Sequence, residues 1–312
     1  MPARLFNVKT ISIALVLAVV AGLAAYRYLP LERTITYGNG QSYRGTMKNG
    51  KYHGHGTLTY PDDPSSPNMR SYSGDFVDGA FQGRGTMIWQ NGDKYVGEFH
   101  NSNVHGRGVT TYSPVGDRAD MLSYDGDYVN GASQGQGTMT WRDGEKYEGQ
   151  WHGGQMNGRG VVTYGPDNVD GLVSFEGDFK DGQRHGRGTM IWRNGTKYEG
   201  RWRDGQINGR GLMTFAPGNP AGVESYEGDF VNARPSGWGT MKWIYGIRTY
   251  EGQWKDGLEN GRGTLTLRNG RKYEGTWREG RKYNGAEYDA DGREVYRVVE
   301  GVAQKGTAAP KK

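Results

Sequence analysis

The sequence of 312 residues contains no cysteine. Disulfide bonds and thiolate metal sites are therefore impossible, which excludes a secreted scaffold that depends on disulfides. Hydrophobic residues make up only 34% of the chain, which is low for a thick two-layer core. The chain has instead 54 glycines and 21 tyrosines, so aromatic side chains must supply most of the buried area.

The sequence also lacks the patterns of a nucleotide or metal site. It has no GxGxxG that opens a helix and no GxxxxGK[ST], and no helical period of apolar residues follows residue 30. His53, His105 and His185 each stand just before a Gly-x-Gly, in a slot that holds Gln, Asn or Ser elsewhere. This slot favours a polar hydrogen-bonding group over a metal ligand. We therefore expect no metal, no cofactor and no catalytic residue, and hence no enzyme.

The charge of the chain is only mildly basic. Its 39 Lys and Arg are offset by 34 Asp and Glu, which leaves a net charge of +5 and a pI near 9.1. Such a balance is compatible with weak attraction to anionic surfaces but does not demand a nucleic-acid partner. We expect none.

One long apolar run lies at the N-terminus. Residues 11–25 are apolar except for Ser12, and residues 8–28 would span about 30 Å as a helix with charged residues reaching the interface. The residues that mark this predicted transmembrane segment are Val8, Ile11, Leu15, Val19, Leu23, Tyr26 and Tyr28. The alternative is a cleaved signal peptide with a small-x-small site at residues 22–24.

Both alternatives place the rest of the chain outside the cytoplasm. The first predicts a single-pass membrane protein with its remaining residues extracytoplasmic, or periplasmic in a bacterium. The second predicts a secreted protein.

Ten similar units fill the chain after residue 42. Each opens with an aromatic residue followed by x-Gly, and most continue to a turn, a Gly-x-Gly and a short β-prone run. The units open at Tyr43, Tyr72, Tyr95, Tyr124, Tyr147, Phe175, Tyr198, Tyr226, Tyr250 and Tyr273. Long and short units alternate, and tight Asn-Gly or Asp-Gly turns close the short ones, which is a strong hairpin signal.

Alternation along each unit predicts two unlike faces. In residues 95–99, Tyr95, Gly97 and Phe99 share one face, whereas the intervening residues share the other. One face therefore carries aromatic residues and glycines, and the opposite face carries mostly Glu, Asp, Arg and Thr. This pattern predicts one antiparallel sheet that covers its own apolar face, with rings lying across the shallow glycine positions.

These units resemble MORN repeats, as the stretch YEGQWHGGQMNGRGVVTY at residues 147–164 shows. The resemblance implies an all-β fold, namely an elongated single-layer antiparallel sheet of tandem hairpins behind the N-terminal transmembrane or signal helix. It also implies scaffolding, self-association or membrane contact, with phospholipid binding proposed for some members. The predicted divisions are a membrane segment (1–30), a linker with a partial N-terminal cap (31–42), a repeat domain (43–285), a capping hairpin (286–302) and a disordered tail (303–312).

Two sets of side chains are candidates for binding. The candidate anion-binding residues are the Gly-x-Gly arginines Arg84, Arg107, Arg159, Arg187, Arg210 and Arg262, although cross-strand pairing is the simpler role for them. The candidate aromatic surface comprises Trp89, Trp141, Trp151, Trp192, Trp202, Trp243, Trp254 and Trp277, although self-packing is the simpler role. The leading hypothesis is a membrane-tethered scaffold that binds a protein partner or a copy of itself. The alternative is direct binding of anionic phospholipid headgroups or cell-envelope glycan.

Overall fold

The computed structural model describes residues 32–63 and 68–305. All regular structure in these residues is β-strand, apart from one short 3-10 turn at Ile244–Gly246. The described residues divide into two compact units, with the boundary between residues 110 and 111. Each is an all-β assembly of hairpins.

The described part of the first unit contains seven strands. They are β1 (Arg33–Thr36), β2 (Ser42–Lys48), β3 (Lys51–Thr59), β4 (Met69–Val77), β5 (Ala80–Trp89), β6 (Lys94–His100) and β7 (Asn103–Thr111), the last of which ends at the unit boundary. Strands β1 to β6 pair antiparallel in chain order.

As far as residue 305, the second unit contains sixteen strands that also pair antiparallel in chain order. They are β8 (Met121–Val129), β9 (Ala132–Trp141), β10 (Lys146–His152), β11 (Gln155–Thr163), β12 (Leu172–Lys180), β13 (Gln183–Trp192), β14 (Lys197–Arg203), β15 (Gln206–Thr214), β16 (Val223–Val231), β17 (Arg234–Trp243), β18 (Arg248–Lys255), β19 (Leu258–Leu267), β20 (Lys272–Arg278), β21 (Arg281–Tyr288), β22 (Glu294–Val299) and β23 (Val302–Lys305). The predicted all-β antiparallel hairpin fold is confirmed.

The predicted faces are also confirmed, as strand β10 illustrates. Tyr147 and Trp151 are buried, whereas Glu148 and Gln150, on the opposite side of the strand, are exposed. Because successive side chains of a strand point to opposite faces, this alternation separates an apolar face from a polar face.

Tight turns of two residues close the hairpins within the repeats. Asn49 and Gly50 both have positive φ, as do Gly153 and Gly154 between β10 and β11. Two consecutive residues with positive φ form the turn whose twist matches that of the paired strands, and Gly and Asn tolerate this conformation best. The twin glycines of residues 153–154 therefore serve the turn.

The structure describes the C-terminal end of the chain as far as Lys305 but does not describe residues 1–31. The predicted membrane segment lies outside the described residues, and within 32–63 and 68–305 no helix is long and apolar enough to cross a membrane. At the C-terminal end, β21 and β22 pair as a hairpin around Asp291 and Gly292. Strand β23 then extends to Lys305, three residues into the stretch predicted as a tail.

Candidate functional site

The aromatic residue that opens each unit is fixed on the apolar face by its own repeat. The opening aromatics are at most 1% exposed. In nine units the Tyr hydroxyl donates to the backbone carbonyl three residues later, over 2.7–3.3 Å: Tyr43, Tyr72, Tyr95, Tyr124, Tyr147, Tyr198, Tyr226, Tyr250 and Tyr273. Phe175 opens the remaining unit and has no hydroxyl.

Two glycines lie beneath each opening ring. In the fifth unit Gly149 and Gly160 stand directly opposite each other on β10 and β11. A Cβ at Gly160 would lie 2.4 Å from Tyr147 Cε2, and one at Gly149 would lie 2.5 Å from its hydroxyl. No side chain fits there without displacing the ring, so these glycines hold an aromatic ring and not a phosphate.

Burial makes these tyrosines poor acid–base groups. It raises the pKa of Tyr72, Tyr95, Tyr147 and Tyr198 to about 12, and the hydrogen bond from each hydroxyl to a carbonyl offsets only part of this effect. Their hydroxyls therefore stay protonated at neutral pH and act as structural donors.

Four of the eight candidate tryptophans are parts of this core. Trp151, Trp202, Trp254 and Trp277 are 4–7% exposed. Each indole N–H donates over 3.1–3.3 Å to a glycine carbonyl on the preceding strand. Each ring also packs edge-to-face against two opening aromatics, with centroids 5.1–5.6 Å apart. These side chains pack within their own sheet, and their rings are not available as a surface.

The other four candidate tryptophans occupy the ends of their strands. Trp243 is buried, with the Arg248 guanidinium 3.9 Å from its ring centroid. Trp89, Trp141 and Trp192 are half-buried. For these three tryptophans, a role as an aromatic binding surface stays a prediction.

The candidate arginines all lie on the polar face, and the register sets what stands opposite them. Arg84 faces Glu98, and Arg159 faces Asp178. Arg210 faces Asp229 in the same way. Opposite charges at facing positions stabilise an antiparallel pair modestly, by about 0.2–1 kcal/mol.

The structure brings three of the six candidate arginines to one groove in the second unit. This groove has a volume of about 610 Å³ and is lined by Arg159, Arg187 and Arg210, together with Arg201 and two glutamates. Of the remaining candidates, Arg84 and Arg107 lie in the first unit and Arg262 lies on β19. The groove combines guanidinium groups with carboxylates and is open to solvent.

Arg201 was missed by the sequence reasoning, although a comparison of the ten units could have found it. It lies three residues after its opening aromatic, in a slot that otherwise holds Thr, Asp, Glu or Gln. In five units that side chain accepts the backbone N–H in the middle of the next Gly-x-Gly, and in the tenth unit it accepts the equivalent N–H of Asn284. The acceptors are Asp127, Gln150, Asp178, Asp229, Gln253 and Thr276. An arginine has no acceptor, so Arg201 cannot serve this purpose.

The same internal comparison explains the slot that the histidines occupy. Gln82 accepts the backbone N–H of Asn101, and Gln134 accepts that of Gly153. Asn208 does the same for Asn232. Side chains in this slot therefore bind the turn of the following hairpin.

One family model matches the repeat units of the chain. The family model described as MORN repeat matches ten segments: residues 43–63, 72–94, 95–114, 124–146, 147–169, 175–197, 198–219, 226–244, 250–270 and 273–282. Among curated proteins, Alsin of Homo sapiens is 28% identical and Alsin of Mus musculus 26% identical, each over 160 residues. This stretch is 51% of the present chain, which spans only about 10% of the length of these curated relatives.

Among solved structures, the wild-type TCP10 domain of Danio rerio CPAP aligns with 86% of this chain and 99% of that domain. The identity is 10% and the TM-score is 0.31. Because the MORN model matches ten segments that together make up most of the sequence, the chain belongs to the MORN-repeat family.

Proposed function

We propose that this protein is a non-enzymatic, membrane-tethered scaffold that presents its repeat sheet to a protein partner or to a second copy of itself. The observation that carries this proposal is that one face of the sheet is buried by its own side chains, whereas the other face is exposed to solvent. The opening aromatics of the ten units are buried within their own sheet. The polar face, in contrast, presents solvent-exposed charged side chains strand after strand.

The recurrence of the chemically active groups supports a binding role over catalysis. Tyr hydroxyls, Asp and Gln side chains return unit after unit, and the contacts they make hold the hairpins together. A catalytic pair usually stands apart from its surroundings, with pKa values that its site has pushed away from each other. Repeated surfaces of this kind are the usual binding platforms of repeat proteins.

Membrane tethering rests on the residue pattern of the N-terminus. We propose that residues 1–30 anchor the protein and that the repeats lie on the extracytoplasmic side. Cleavage of the segment would instead release the repeats as a secreted protein, and N-terminal sequencing of the mature chain distinguishes the two.

The scaffold proposal is tested by crosslinking the full-length protein in native membranes and identifying the attached chains by mass spectrometry. The expected result is a reproducible protein partner, or crosslinks between two copies that agree with a dimeric mass in detergent. A monomer that captures no protein above the background of an unrelated membrane protein would contradict it.

The arginine-lined groove favours a second candidate function, the binding of anionic lipid headgroups or cell-envelope glycan. Flotation of residues 32–312 with vesicles tests it without the predicted anchor, after circular dichroism has verified a β-rich fold. Binding should require phosphatidylserine and disappear at high salt, because exposed charges are screened. Binding that ignores both lipid charge and salt would argue against it.

A further inference from the structure

Two positions on the polar face, three strands apart, break the pattern of the repeats. Arg187, Arg201, Arg210, Asp229 and Trp238 lie in line across five successive strands, β13 to β17, and are called the β13–β17 row below. Arg201 is the only cation among the ten side chains that follow an opening aromatic by three residues. Trp238 is the only aromatic residue inside a Gly-x-Gly. Both exceptions fall in this one row.

Arg201 weakens the sheet in which it lies. It stands directly opposite Arg187, and like charges at facing positions of a sheet are destabilising. In other units the equivalent position provides Glu98 opposite Arg84, or Thr276 opposite Arg262. A residue that costs stability without a structural return is typical of a functional position.

The row concentrates positive charge on three adjacent strands. Arg187, Arg201 and Arg210 are exposed, and Arg210 makes a long ion pair of 3.7 Å with Glu227, in which both side chains are mostly in solvent. Within the described residues no salt bridge engages Arg187 or Arg201. Guanidinium groups bind carboxylates through two parallel hydrogen bonds, so this part of the row is complementary to acidic side chains.

Trp238 adds an apolar contact beyond the charged part of the row. Its side chain is 53% exposed, although in most other repeats the same slot holds Arg, His or Gln. Its backbone N–H donates to Asp229, which fixes the strand beneath the indole. Arg and Trp are the residue types that contribute most often to the binding energy of protein interfaces.

We infer that the β13–β17 row binds an extended acidic segment of a protein partner. Carboxylates of the segment lie over Arg187, Arg201 and Arg210, and an apolar side chain packs on Trp238. The row spans about 19 Å at ~4.8 Å per strand, which is the length of about six extended residues. This inference rests on the proposed scaffold function and names the class of partner.

The distribution of charge favours an acidic segment over a membrane surface. Asp178 lies on the strand before the three arginines and Asp229 lies on the strand after them. A flat anionic bilayer would meet these carboxylates together with the arginines, and like charges across an interface oppose binding. A narrow chain placed along the row bypasses Asp178, and of these two carboxylates only Asp229 lies beneath it, between the arginines and Trp238.

The inference is tested by fluorescence polarisation with the full-length protein in detergent micelles. The probe is a labelled extended peptide with glutamates at one end and a leucine at the other, and the control peptide carries glutamines instead. Arg201→Asp should weaken binding of the glutamate peptide about tenfold or more, because it replaces attraction by repulsion. Trp238→Gln should weaken it about fivefold. Arg262→Gln, the matched arginine outside the row, should change it less than about twofold.

Thermal unfolding of the same variants separates loss of binding from loss of fold. Arg201→Asp should melt at the same temperature as the parent or higher, because an aspartate removes the facing like charge and can accept the Arg210 N–H. Weak binding together with a retained melting temperature supports the site. Unchanged binding, or equal binding of the glutamate and glutamine peptides, overturns it.

Two further outcomes separate this inference from the broader proposals. A partner captured by crosslinking equally well with the parent and with Arg201→Asp would leave the scaffold function in place and remove this site from it. If anionic vesicles bind the parent and not Arg201→Asp, and the peptide binds neither, the row is a lipid site and the inference is wrong.

Discussion

The two faces of the repeat sheet differ in how far one unit may depart from the next. On the apolar face, the opening aromatic is Tyr in nine units and Phe in one, and two glycines accompany it in all ten. On the polar face, the slot three residues after the aromatic holds Thr, Asp, Glu, Gln or Arg. Both faces share one backbone, so the difference comes from what the side chains touch.

Contact explains the contrast. A ring of the apolar face lies within van der Waals distance of two glycine backbones, and protein interiors tolerate little change in volume. A side chain of the polar face is largely exposed to solvent, where most substitutions change stability by less than about 0.5 kcal/mol. The polar face can therefore acquire features such as Arg201 and Trp238 while the fold stays intact.

The apolar face has one departure of its own, at the C-terminal end. Glu287 stands opposite Tyr273, in the position that holds Leu58 opposite Tyr43 and Met87 opposite Tyr72. Lys282 donates to the buried Glu287 carboxylate over 2.7 Å. Arg271 and Tyr296 complete the set of donors. A charged carboxylate can replace an apolar side chain here because these three donors pair with its oxygen atoms.

If the two faces differ in this way, the largest loss in the free energy of unfolding should come from replacing an opening aromatic residue. Replacing Tyr147 by alanine should lower the free energy of unfolding by about 3–5 kcal/mol, because it empties the space above two glycines. The adjacent polar-face change Glu148→Ala should stay within about 0.5 kcal/mol. Urea titration monitored by circular dichroism measures both, and similar losses would show that the faces do not differ in this way.

A smaller effect is expected at Glu287, where the apolar face is broken. Glu287→Gln should cost about 2 kcal/mol, because Lys282 and Arg271 keep their charges without the carboxylate between them. Both cations are partly exposed, which keeps the loss below that of a fully buried pair.

The same residue gives a pH dependence. Burial works to raise the pKa of Glu287, but hydrogen bonds from Lys282 and Tyr296 and the charges of Lys282 and Arg271 outweigh it and lower the pKa. Its contribution to stability is therefore complete above the usual glutamate pKa of about 4.3, and it is lost as the pH falls through the lowered value. Acid titration of the melting temperature should be shallower in Glu287→Gln, and parallel curves would count against this role.

The smallest effect concerns the Tyr hydroxyl, for which the chain provides its own control. Tyr147→Phe should cost about 1 kcal/mol, because the Gln150 carbonyl loses its 2.9 Å hydrogen bond. Phe175→Tyr should recover up to the same amount by donating to the Asp178 carbonyl. Chemical denaturation of the two variants tests the pair, and changes of the same sign would argue against the shared geometry.

Much of the fold could be predicted because ten copies repeat the same alternation. The placement of Tyr147 and Trp151 on one face follows from a period of two residues. What could not be read along the chain was contact between strands. That Arg201 faces Arg187 depends on the register of β13 with β14, and the tryptophan N–H bonds depend on how the indoles lie over the preceding strand. The sequence nevertheless marks Arg201, because it is the only cation among the ten residues that stand three positions after an opening aromatic.

One pair of neighbouring residues tests most directly whether the stability of the fold depends on the apolar face and not on the polar face. Gly160 lies under the Tyr147 ring, and Arg159, the residue before it, points to the polar groove. Urea unfolding of Gly160→Ala should show a loss of about 1–3 kcal/mol, because the new methyl group overlaps the ring. Arg159→Ala should stay within about 0.5 kcal/mol of the parent. Equal losses in the two variants, or a greater loss in Arg159→Ala, would contradict the account.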